Sequence, residues 1–373
     1  MQQYDVAVVG GGIVGLAHAY AAAKRGKSVV VFERNARAIG ASIRNFGMVW
    51  PIGLAANLLP LGLRSRDLWR EVLDDAGLPY LPTGSLHLVY REDEEAVVRE
   101  FAARNDGYDA SWLDAKQVLE RSPAANPAGL RGGLWSGHEI TVDARLVTGE
   151  IPGYLTEKFD VTCRFGEPVL DVSGRVVRTA QGSVQAGQVF ICSGEDFKTL
   201  YPEIFAREPL RLCKLQMMRT APQPDGWQLG PALAAGLTLR FYPAFRVCQS
   251  LAALEQRIEA ETPEYNRWGI HVMAAQTSMG EITIGDSHEY DLTLPPFDKP
   301  YLDTLILDYF AGFARLPNPE IVQRWHGVYA NHPDKHFLVI EPEPGIRIAS
   351  VTGGKGMTLS FGFGERNAME VGL

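Results

Sequence analysis

The sequence VAVVGGGIVG, at residues 6–15, decides the fold of this chain. The β-rich run YDVAVV leads into it, and an alanine-rich helical stretch, LAHAYAAAKRG, follows and ends at Gly26. A second β-rich run, SVVVFE, then closes on Glu33. Strand, glycine turn, helix, strand and acidic residue within about 30 residues predict the βαβ unit that binds a dinucleotide.

Each glycine of this motif has a predicted physical role. Gly10 allows the tight turn, Gly12 lets a pyrophosphate approach the backbone, and Gly15 lets the helix pack against the strands. The helix N-terminus offers free N–H groups and a partial positive charge to the pyrophosphate. Glu33 is placed to accept hydrogen bonds from a ribose. The motif alone does not separate NAD from FAD, and a glycine turn of another α/β protein is the alternative.

Composition and charge exclude several classes of protein. The 373 residues predict two or three domains, and the formal net charge of −8 argues against binding the phosphate backbone of nucleic acid. We expect no membrane span, because the apolar stretch at residues 6–23 is interrupted by glycines and by His18. The four cysteines show no metal-ligand spacing, so we predict reduced thiols, no metal site and a cytoplasmic location.

A second glycine-rich stretch, VTGGKGMTLSFGFG, covers residues 351–364 and contains five glycines. So much backbone freedom indicates a segment that must lie close against something. The sequence therefore raises the question of whether both glycine clusters bind one ligand.

Further motifs resemble one superfamily of flavoenzymes. The segment RNARAIGASIRNFGMVW (residues 34–50) resembles the Gly-x-Ser segment that D-amino acid oxidases, glycine oxidases and sarcosine oxidases place beneath the flavin of FAD. GEPVLDV (166–172) resembles the segment whose valine backbone meets the adenine, and QVFICSG (188–194) resembles the buried strand and turn that follow. RWHGVYANHPDKHFLVIEPEPGIRIAS (324–350) then leads into the second glycine cluster.

The resemblance implies that both glycine clusters build one FAD site. The loop that starts at Gly353 would begin a helix aimed at the flavin, with backbone N–H groups and Lys355 along the pyrimidine edge of the ring. A helix cap or an unusually mobile loop is the alternative for this stretch. The residues implied to bind FAD are Gly10, Gly12, Ile13, Val14, Gly15, Glu33, Arg34, Ser42, Arg44, Asn45, Val169, Ser193, Gly194, Gly353, Gly354, Lys355, Gly356, Met357 and Thr358.

The predicted fold class is α/β, with a Rossmann-like FAD-binding domain and an inserted substrate domain of antiparallel β-sheet plus helices. We assign residues 1–82, 139–208 and 322–373 to the FAD-binding domain and residues 83–138 and 209–321 to the substrate domain. In the latter, TGSLHLVY, RLCKLQMMRT and LTLRFYPAF predict strands, and GEITIGDSHEY predicts a strand and a turn. Helices are predicted at residues 91–105, in SWLDAKQVLERSP, and in PYLDTLILDYFAGFARLP.

The chain departs from the superfamily where the substrate carboxylate is held. Amino acid and glycine oxidases carry Gly-Leu-Arg-Pro where this sequence has GVYA (residues 327–330), so Tyr329 replaces the clamping arginine. Gly327 stands where monomeric sarcosine oxidases have the cysteine bound to the flavin, and Thr358 stands in place of their carboxylate-binding lysine. The alignment implies non-covalent FAD and a substrate other than an ordinary α-amino acid, since a bidentate arginine is hard to replace.

The motifs RNFG, GDSHEY, WHGVYANHP and GGKGMTLSFG resemble a subgroup associated with breakdown of aminophosphonates such as 2-aminoethylphosphonate. Several spread cationic or hydroxyl donors would suit the three oxygens of a phosphonate. The candidates for binding the substrate are Arg44, Tyr242, Arg246, His271, His326, Tyr329 and Lys355. Arg246 could equally lie on the surface, His271 in the core, Tyr242 in packing, and His326 on the outer side of a strand.

Three functions remain open on the sequence. The first is an FAD-dependent amine oxidoreductase that oxidises a small anionic amine to the aldehyde, with oxygen or another electron acceptor restoring the flavin. The second is a glycine, sarcosine or D-amino acid oxidase with a carboxylate clamp at another position. The third is a flavin-containing subunit without amine chemistry of its own. An NAD dehydrogenase is disfavoured, because a nicotinamide site does not require the second glycine cluster.

Overall fold

The computed structural model describes residues 1–104 and 106–373. Its helices are α1 (Ile13–Ala23), α2 (Leu59–Ala76), α3 (Glu92–Arg104), α4 (Ala115–Arg121), α5 (Ala144–Phe159), α6 (Pro202–Phe205), α7 (Gly236–Phe241), α8 (Leu251–Glu261), α9 (Pro263–Arg267), α10 (Pro300–Phe313) and α11 (Gly356–Glu370). The strands are β1 (Gln2–Val9), β2 (Val29–Glu33), β3 (Met48–Val49), β4 (Tyr80–Leu81), β5 (Ser85–Val89), β6 (Ala110–Asp114), β7 (Gly132–Ser136), β8 (Ile140–Val142), β9 (Thr162–Phe165), β10 (Val169–Ser173), β11 (Val176–Thr179), β12 (Gly182–Ile191), β13 (Arg211–Thr220), β14 (Ala232–Ala235), β15 (Met273–Gln276), β16 (Ile282–Gly285), β17 (Glu289–Asp291), β18 (Ile321–Asn331), β19 (Phe337–Glu343) and β20 (Ile346–Val351).

The first βαβ unit lies at the centre of an eight-stranded sheet. Its strands run in the order β10-β11-β12-β1-β2-β9, and β20 pairs with both β12 and β19. Strands β2, β12 and β20 are parallel to their neighbours in this central part, as the glycine motif predicts. Val6 and Val8 lie in the core on one face of the sheet, whereas Ala7 and Val9 lie in the core on the other. Burial on both faces explains why the second half of β1, Val6 to Val9, has no polar alternation.

Helix α11 packs closely on α1 and α2 because glycines face both helices. A Cβ atom at Gly364 would lie 2.7 Å from the carbonyl oxygen of Ala17, and one at Gly362 would lie 2.8 Å from that of Leu61. Alanine-rich α1 presents small side chains to this contact. Two of the five glycines at residues 351–364 therefore serve helix packing, whereas Gly353 and Gly354 lie in the loop before α11 and Gly356 begins the helix.

The second large sheet has nine strands in the order β17-β13-β16-β15-β14-β5-β7-β6, with β18 also paired to β13. The prediction of an antiparallel sheet is corrected at one place, because β14 and β5 pair in parallel, with Ala232 opposite Ser85. These two strands come from different segments of the chain, so no hairpin fixes their relative direction. A third, small sheet has the order β3-β8-β4.

Most predicted elements of the inserted segments are confirmed, and one is wrong. Strands β5 and β13 and helices α3 and α10 form where the sequence predicts them, although position 105 lies outside the described residues. LTLRFYPAF is not a strand, because it forms α7 and a 3₁₀ turn at Pro243–Val247. A run this short does not distinguish a strand from a buried helix by periodicity. Within SWLDAKQVLERSP, helix α4 begins only after Asp114, which caps it.

The predicted domain boundary at residue 322 falls inside β18. That strand pairs along its length with β13, in the nine-stranded sheet, before the chain continues to β19 and β20 in the other sheet. We propose the division into two domains with β18 as part of the inserted one. In the described part of the chain, no helix is long and apolar enough to cross a membrane.

Candidate active site

A cavity of about 640 Å³ extends between the two large sheets. On one side it is lined by residues that follow the carboxyl ends of parallel strands, such as Gly10 after β1, Arg34 after β2 and Cys192 after β12. Open parallel sheets bind ligands at this edge. On the other side the lining comes from the nine-stranded sheet, with Met217 and Met273 among its residues.

The first glycine cluster leaves no room for side chains. Gly10 has φ +112°, and a Cβ atom there would lie 2.3 Å from the carbonyl oxygen of Cys192. A Cβ atom at Gly12 would lie 3.0 Å from the Oγ atom of Ser42. That Oγ atom accepts a hydrogen bond of 2.9 Å from the N–H of Ile13, at the start of α1. The turn, the Gly-x-Ser segment and the helix N-terminus thus form a cradle lined by backbone.

Gly15 does not line the cavity. A Cβ atom at Gly15 would lie 1.9 Å from the carbonyl oxygen of Gly10, so its role is to let α1 lie against β1. Glu33 does line it, and its carboxylate already accepts three hydrogen bonds, from the N–H of Gly11 at 2.9 Å and from both the backbone N–H and the side-chain amide of Asn35 at 3.0 Å. A carboxylate has about four lone-pair sites, which leaves acceptor capacity for a ribose.

The second glycine cluster forms the loop that leads into α11. Gly353 and Gly354 adopt the left-handed region, with φ +66° and +70°, which favours glycine. The N-terminus of α11 carries no acidic side chain in its first turn, so its partial positive charge is not neutralised there. Thr358 faces the cavity but is also structural, because its Oγ1 atom accepts a 3.0 Å hydrogen bond from the N–H of Trp50.

Two cationic side chains line the cavity without a salt bridge among the described residues, although the charge of Arg44 acts on the nearby carboxyl of Glu195. The guanidinium of Arg44 contacts the carbonyl oxygen of His326 at 3.4 Å, and the Nζ atom of Lys355 donates to the carbonyl oxygen of Gly353 at 3.2 Å. Burial, together with the charge of Arg246, lowers the pKa of Lys355 to about 8. Arg34, by contrast, is paired with Asp196. Arg44 and Lys355 could therefore pair with an anionic group of a bound molecule.

A cluster of His271, Asp286 and His288 lies where the cavity meets the nine-stranded sheet. The Nε2 atom of His271 lies 3.3 Å from Oδ1 of Asp286, and that of His288 lies 4.0 Å from Oδ2. The side chains are only 2%, 6% and 3% exposed, in sequence order. Burial raises the pKa of Asp286 well above its usual range and lowers that of His271 well below, while the pKa of His288 falls to about 4. Their ligand atoms lie within 4.8 Å of one another, close enough to contact one shared cation.

Aromatic rings surround this cluster. The ring of Phe241 stacks on that of His271, with centroids 3.8 Å apart, and the ring of Tyr242 meets His271 edge-on at 5.5 Å. Tyr329 lies 6.5 Å from His288 between ring centroids, and a Cβ atom at Gly354 would lie 3.3 Å from the Tyr329 ring. Tyr329 therefore lies between this cluster and the loop that carries Lys355.

The structure brings most of the predicted site residues to one cavity. All nineteen residues expected at FAD line it except Gly15. Of the seven expected at the substrate, the cavity is lined by Arg44, Tyr242, His271, Tyr329 and Lys355. Arg246 is exposed on the 3₁₀ turn, and His326 contacts Asp298 at 2.9 Å, so neither reaches the lining.

Sequence reasoning did not single out Asp286 and His288, although both lie in the motif GDSHEY. The signal that could have found them was the spacing of Asp and His at i and i+2, which places both side chains on one side of an extended chain. The expectation of no metal site stays a prediction.

Comparison with known proteins gives the family. A family model described as FAD dependent oxidoreductase, DAO, matches residues 5–368. The chain belongs to the DAO family. The cradle without side chains, the acceptor Glu33 and the uncapped start of α11 fit FAD, and this DAO-family chain is an FAD-dependent oxidoreductase.

Individual relatives agree with the family. The DAO-family chain is 29% identical over 219 residues to a glycine oxidase of Geobacillus kaustophilus, covering 52% of this chain and about half, 55%, of that protein. It is 25% identical over 259 residues to one of the subunits of an opine oxidase of Rhizobium meliloti, covering 64% of this chain and 68% of that one. The crystal structure of the Geobacillus kaustophilus glycine oxidase has the same fold, with a TM-score of 0.78 at 20% identity over 100% of this chain and 95% of the other.

Proposed function

We propose that this chain oxidises the C–N bond of a small anionic amine, and that the amine is an aminophosphonate. The substrate would be 2-aminoethylphosphonate or its N-methyl form, and the product would be the aldehyde. The observation that carries the proposal is the pair of cations, Arg44 and Lys355, that line the cavity without a salt bridge among the described residues. Tyr329 stands in the position of the arginine that clamps a carboxylate in related oxidases, and supports a different anion.

A phosphonate fits this arrangement better than a carboxylate does. It carries up to two negative charges on three oxygens, which separate donors can share, whereas a carboxylate is best held by one planar guanidinium. Arg44, Lys355 and the hydroxyl of Tyr329 approach the cavity from three different elements: the Gly-x-Ser segment, the loop before α11, and β18. The positive N-terminus of α11 adds to their field.

The residues of the chain position the substrate and keep water away from it. Bound FAD supplies a two-electron acceptor for the C–H bond beside the nitrogen. Trp50, Phe241 and Met273 form an apolar wall, which strengthens the electrostatic interactions inside the cavity. We also propose that the FAD is non-covalent, because Gly327 occupies the position of the flavin-linking cysteine, and acid precipitation should then release all of the yellow colour.

The test is an anaerobic absorbance spectrum of the purified yellow protein before and after addition of 2-aminoethylphosphonate, with glycine and sarcosine in parallel. Loss of the oxidised-flavin band with the phosphonate alone is the expected result. Bleaching by glycine or sarcosine but not by the phosphonate would overturn the substrate assignment and leave an amine oxidoreductase. A colourless protein would instead contradict tight FAD binding.

Two alternatives have specific support. The match to a glycine oxidase favours an amino acid substrate, and bleaching by glycine would establish it. The match to a protein named as one subunit of an opine oxidase favours a flavin-containing subunit that needs a partner chain. A yellow spectrum that no amine changes would favour that alternative.

A further inference from the structure

We propose that Asp286, flanked by His271 and His288, receives the ammonium group of the substrate and accepts its proton, so that this carboxylate is a catalytic residue. The inference rests on the proposed function only in requiring an amine substrate. It does not depend on whether the anionic end of that amine is a phosphonate or a carboxylate.

The cluster contains buried polar atoms that could form hydrogen bonds with a ligand. The Nδ1 atom of His271 is buried and has no hydrogen-bond partner within residues 1–104 and 106–373. The Oδ1 atom of Asp286 is also buried without a hydrogen bond there, because the Nε2 atom of His271, 3.3 Å away, does not meet it in hydrogen-bonding geometry. Buried polar atoms are normally paired, so these two indicate a ligand with protons to donate. His288 is fixed in orientation, because its Nδ1 atom contacts the carbonyl oxygen of Gly269 at 2.9 Å. That contact requires the proton on Nδ1 and leaves Nε2 bare towards Asp286.

Among the residues that the structure describes, no cationic side chain pairs with the carboxylate of Asp286. The cation that acts on both histidines is Arg240, but its guanidinium is held by the side chain of Asn266 and by the carbonyl oxygens of Leu237 and Ile270. The other titratable groups near the carboxylate are neutral, because burial raises the pKa of each: Cys213, Tyr242, Tyr290 and Tyr329. An ammonium group bound here would complete the charge pair and face aromatic rings, which attract cations.

The polarity of the cavity then orients the substrate. Cations at Arg44 and Lys355 take the anionic end, and Asp286 takes the amine. Tyr329 lies between these two regions and touches the loop of Lys355. A molecule with an anion and an amine a few bonds apart satisfies both regions at once, whereas an amine without an anion satisfies only one.

The proposed step transfers one proton from the ammonium group of the substrate to the carboxylate of Asp286. One N–H bond of the ammonium group breaks, its electron pair stays on nitrogen as a lone pair, and one O–H bond forms on Asp286. No electrons leave the substrate in this step. Burial raises the pKa of Asp286, which favours the protonated carboxyl beside a free amine over the separated charges. The free amine is the form whose lone pair assists cleavage of the neighbouring C–H bond.

The first experiment compares two ligands on the FAD-loaded Asp286→Asn variant. Dissociation constants for 2-aminoethylphosphonate and for ethylphosphonate, which lacks the amine, are measured from perturbation of the flavin spectrum under conditions without turnover. We expect binding of the amine to weaken by about 30-fold or more, in keeping with loss of a desolvated charge pair. Binding of ethylphosphonate should change by less than about twofold on the same reasoning.

Glu94→Gln is the matched control, because Glu94 is a buried carboxylate of the inserted domain that does not line the cavity. It should leave the ratio of the two dissociation constants unchanged. Asp286→Glu should restore part of the preference for the amine. Equal weakening of both ligands by Asp286→Asn would show a structural role and overturn the proposal.

The second measurement uses the wild-type protein, so a folding defect of the Asp286→Asn variant does not affect it. The rate of flavin reduction at low substrate should rise with pH as Asp286 ionises and fall as the free substrate loses its ammonium proton. At each pH, the measured rate is divided by the affinity for ethylphosphonate. This removes the contribution of anion binding, because Lys355 also loses its charge in this pH range. A corrected profile that rises to a plateau without a falling limb would contradict proton acceptance by Asp286, and Asp286→Asn should show that plateau.

Two further results would also decide the matter. One equivalent of metal per chain in the purified protein, bound at the cluster and lost in Asp286→Asn, would overturn the proposal, since the ion would already neutralise the carboxylate. If glycine rather than the phosphonate bleaches the flavin, the ligand pair becomes glycine and acetate. The substrate assignment then fails, while the role of Asp286 is tested on the same variants.

Discussion

The backbone N–H of Ile13 donates a hydrogen bond to the Oγ atom of Ser42, at 2.9 Å. This contact joins the first glycine turn to the Gly-x-Ser segment across 29 residues of sequence. It also explains why Gly12 carries no side chain, since a Cβ atom there would approach the same hydroxyl to 3.0 Å.

Replacement of Ser42 by alanine should weaken FAD binding. The change removes one partly buried hydrogen bond and loosens the segment that closes the cradle, so we expect about a fivefold increase in the dissociation constant, equivalent to about 1 kcal/mol. Fluorescence of FAD released on dilution measures it. Ser65→Ala is the control, because the buried Ser65 hydroxyl has no partner among the described residues. Equal effects of both changes would contradict a specific role for Ser42.

Gly10→Ala should abolish FAD binding and destabilise the chain by about 3 kcal/mol, because both the φ of +112° and the 2.3 Å approach to the Cys192 carbonyl oppose a side chain. Thermal unfolding and flavin content report the two effects. Gly26→Ala separates them, since Gly26 has φ +73° and a methyl group there would meet nothing within 4 Å. That control should cost only about 1 kcal/mol and keep FAD. Retention of flavin by Gly10→Ala would contradict FAD binding at the first glycine cluster.

The affinity for ethylphosphonate should fall above pH 8. The pKa of Lys355 is lowered to about 8, so its charge is present below that pH and lost above it. For an anion that requires the charge, affinity falls by about tenfold per pH unit beyond this point. Lys355→Arg should move the fall to higher pH, and Lys355→Met should weaken binding and remove this dependence. A wild-type affinity that stays constant from pH 7 to 10 would exclude Lys355 from the anion site.

Thr358→Val should lower the free energy of unfolding by about 1–2 kcal/mol, because it leaves the buried N–H of Trp50 without its acceptor. The control is Thr238→Val, since the Thr238 hydroxyl is buried without a partner in the described part of the chain. That change should be close to neutral. If the two variants unfold at the same denaturant concentration, the Thr358 hydrogen bond contributes nothing to stability.

Gly364→Ala should force α11 away from α1, because the added methyl would lie 2.7 Å from the carbonyl oxygen of Ala17. We expect a loss of about 2 kcal/mol in stability together with weaker FAD binding, since α11 begins at the cavity. Gly312→Ala in α10, where a Cβ atom meets nothing within 4 Å, should be neutral or stabilising. Equal stability of the two variants in urea would contradict close packing of α11.

The sequence by itself determined the first βαβ unit, and the resemblance to flavoenzymes indicated the cofactor. The glycine turn between two β-rich runs predicted the βαβ unit, since only glycine tolerates the φ of Gly10 and the approach of a phosphate to Gly12. It also predicted helix α10 by its periodicity. Where two structures suit one short pattern, as in LTLRFYPAF, the sequence was misleading, because packing of α7 in the inserted domain overrides the local preference.

Only the tertiary structure decided which polar side chains meet. His271 and Asp286 lie next to different strands and come together through the pairing of β15 with β16, which no spacing in the sequence reveals. The same fold leaves Arg246 exposed and places His326 in contact with Asp298. A side chain's environment depends on contacts between distant segments, whereas a turn depends on the residues that form it. The motifs therefore located the FAD cradle, and the fold brought His271, Asp286 and His288 together at the same cavity.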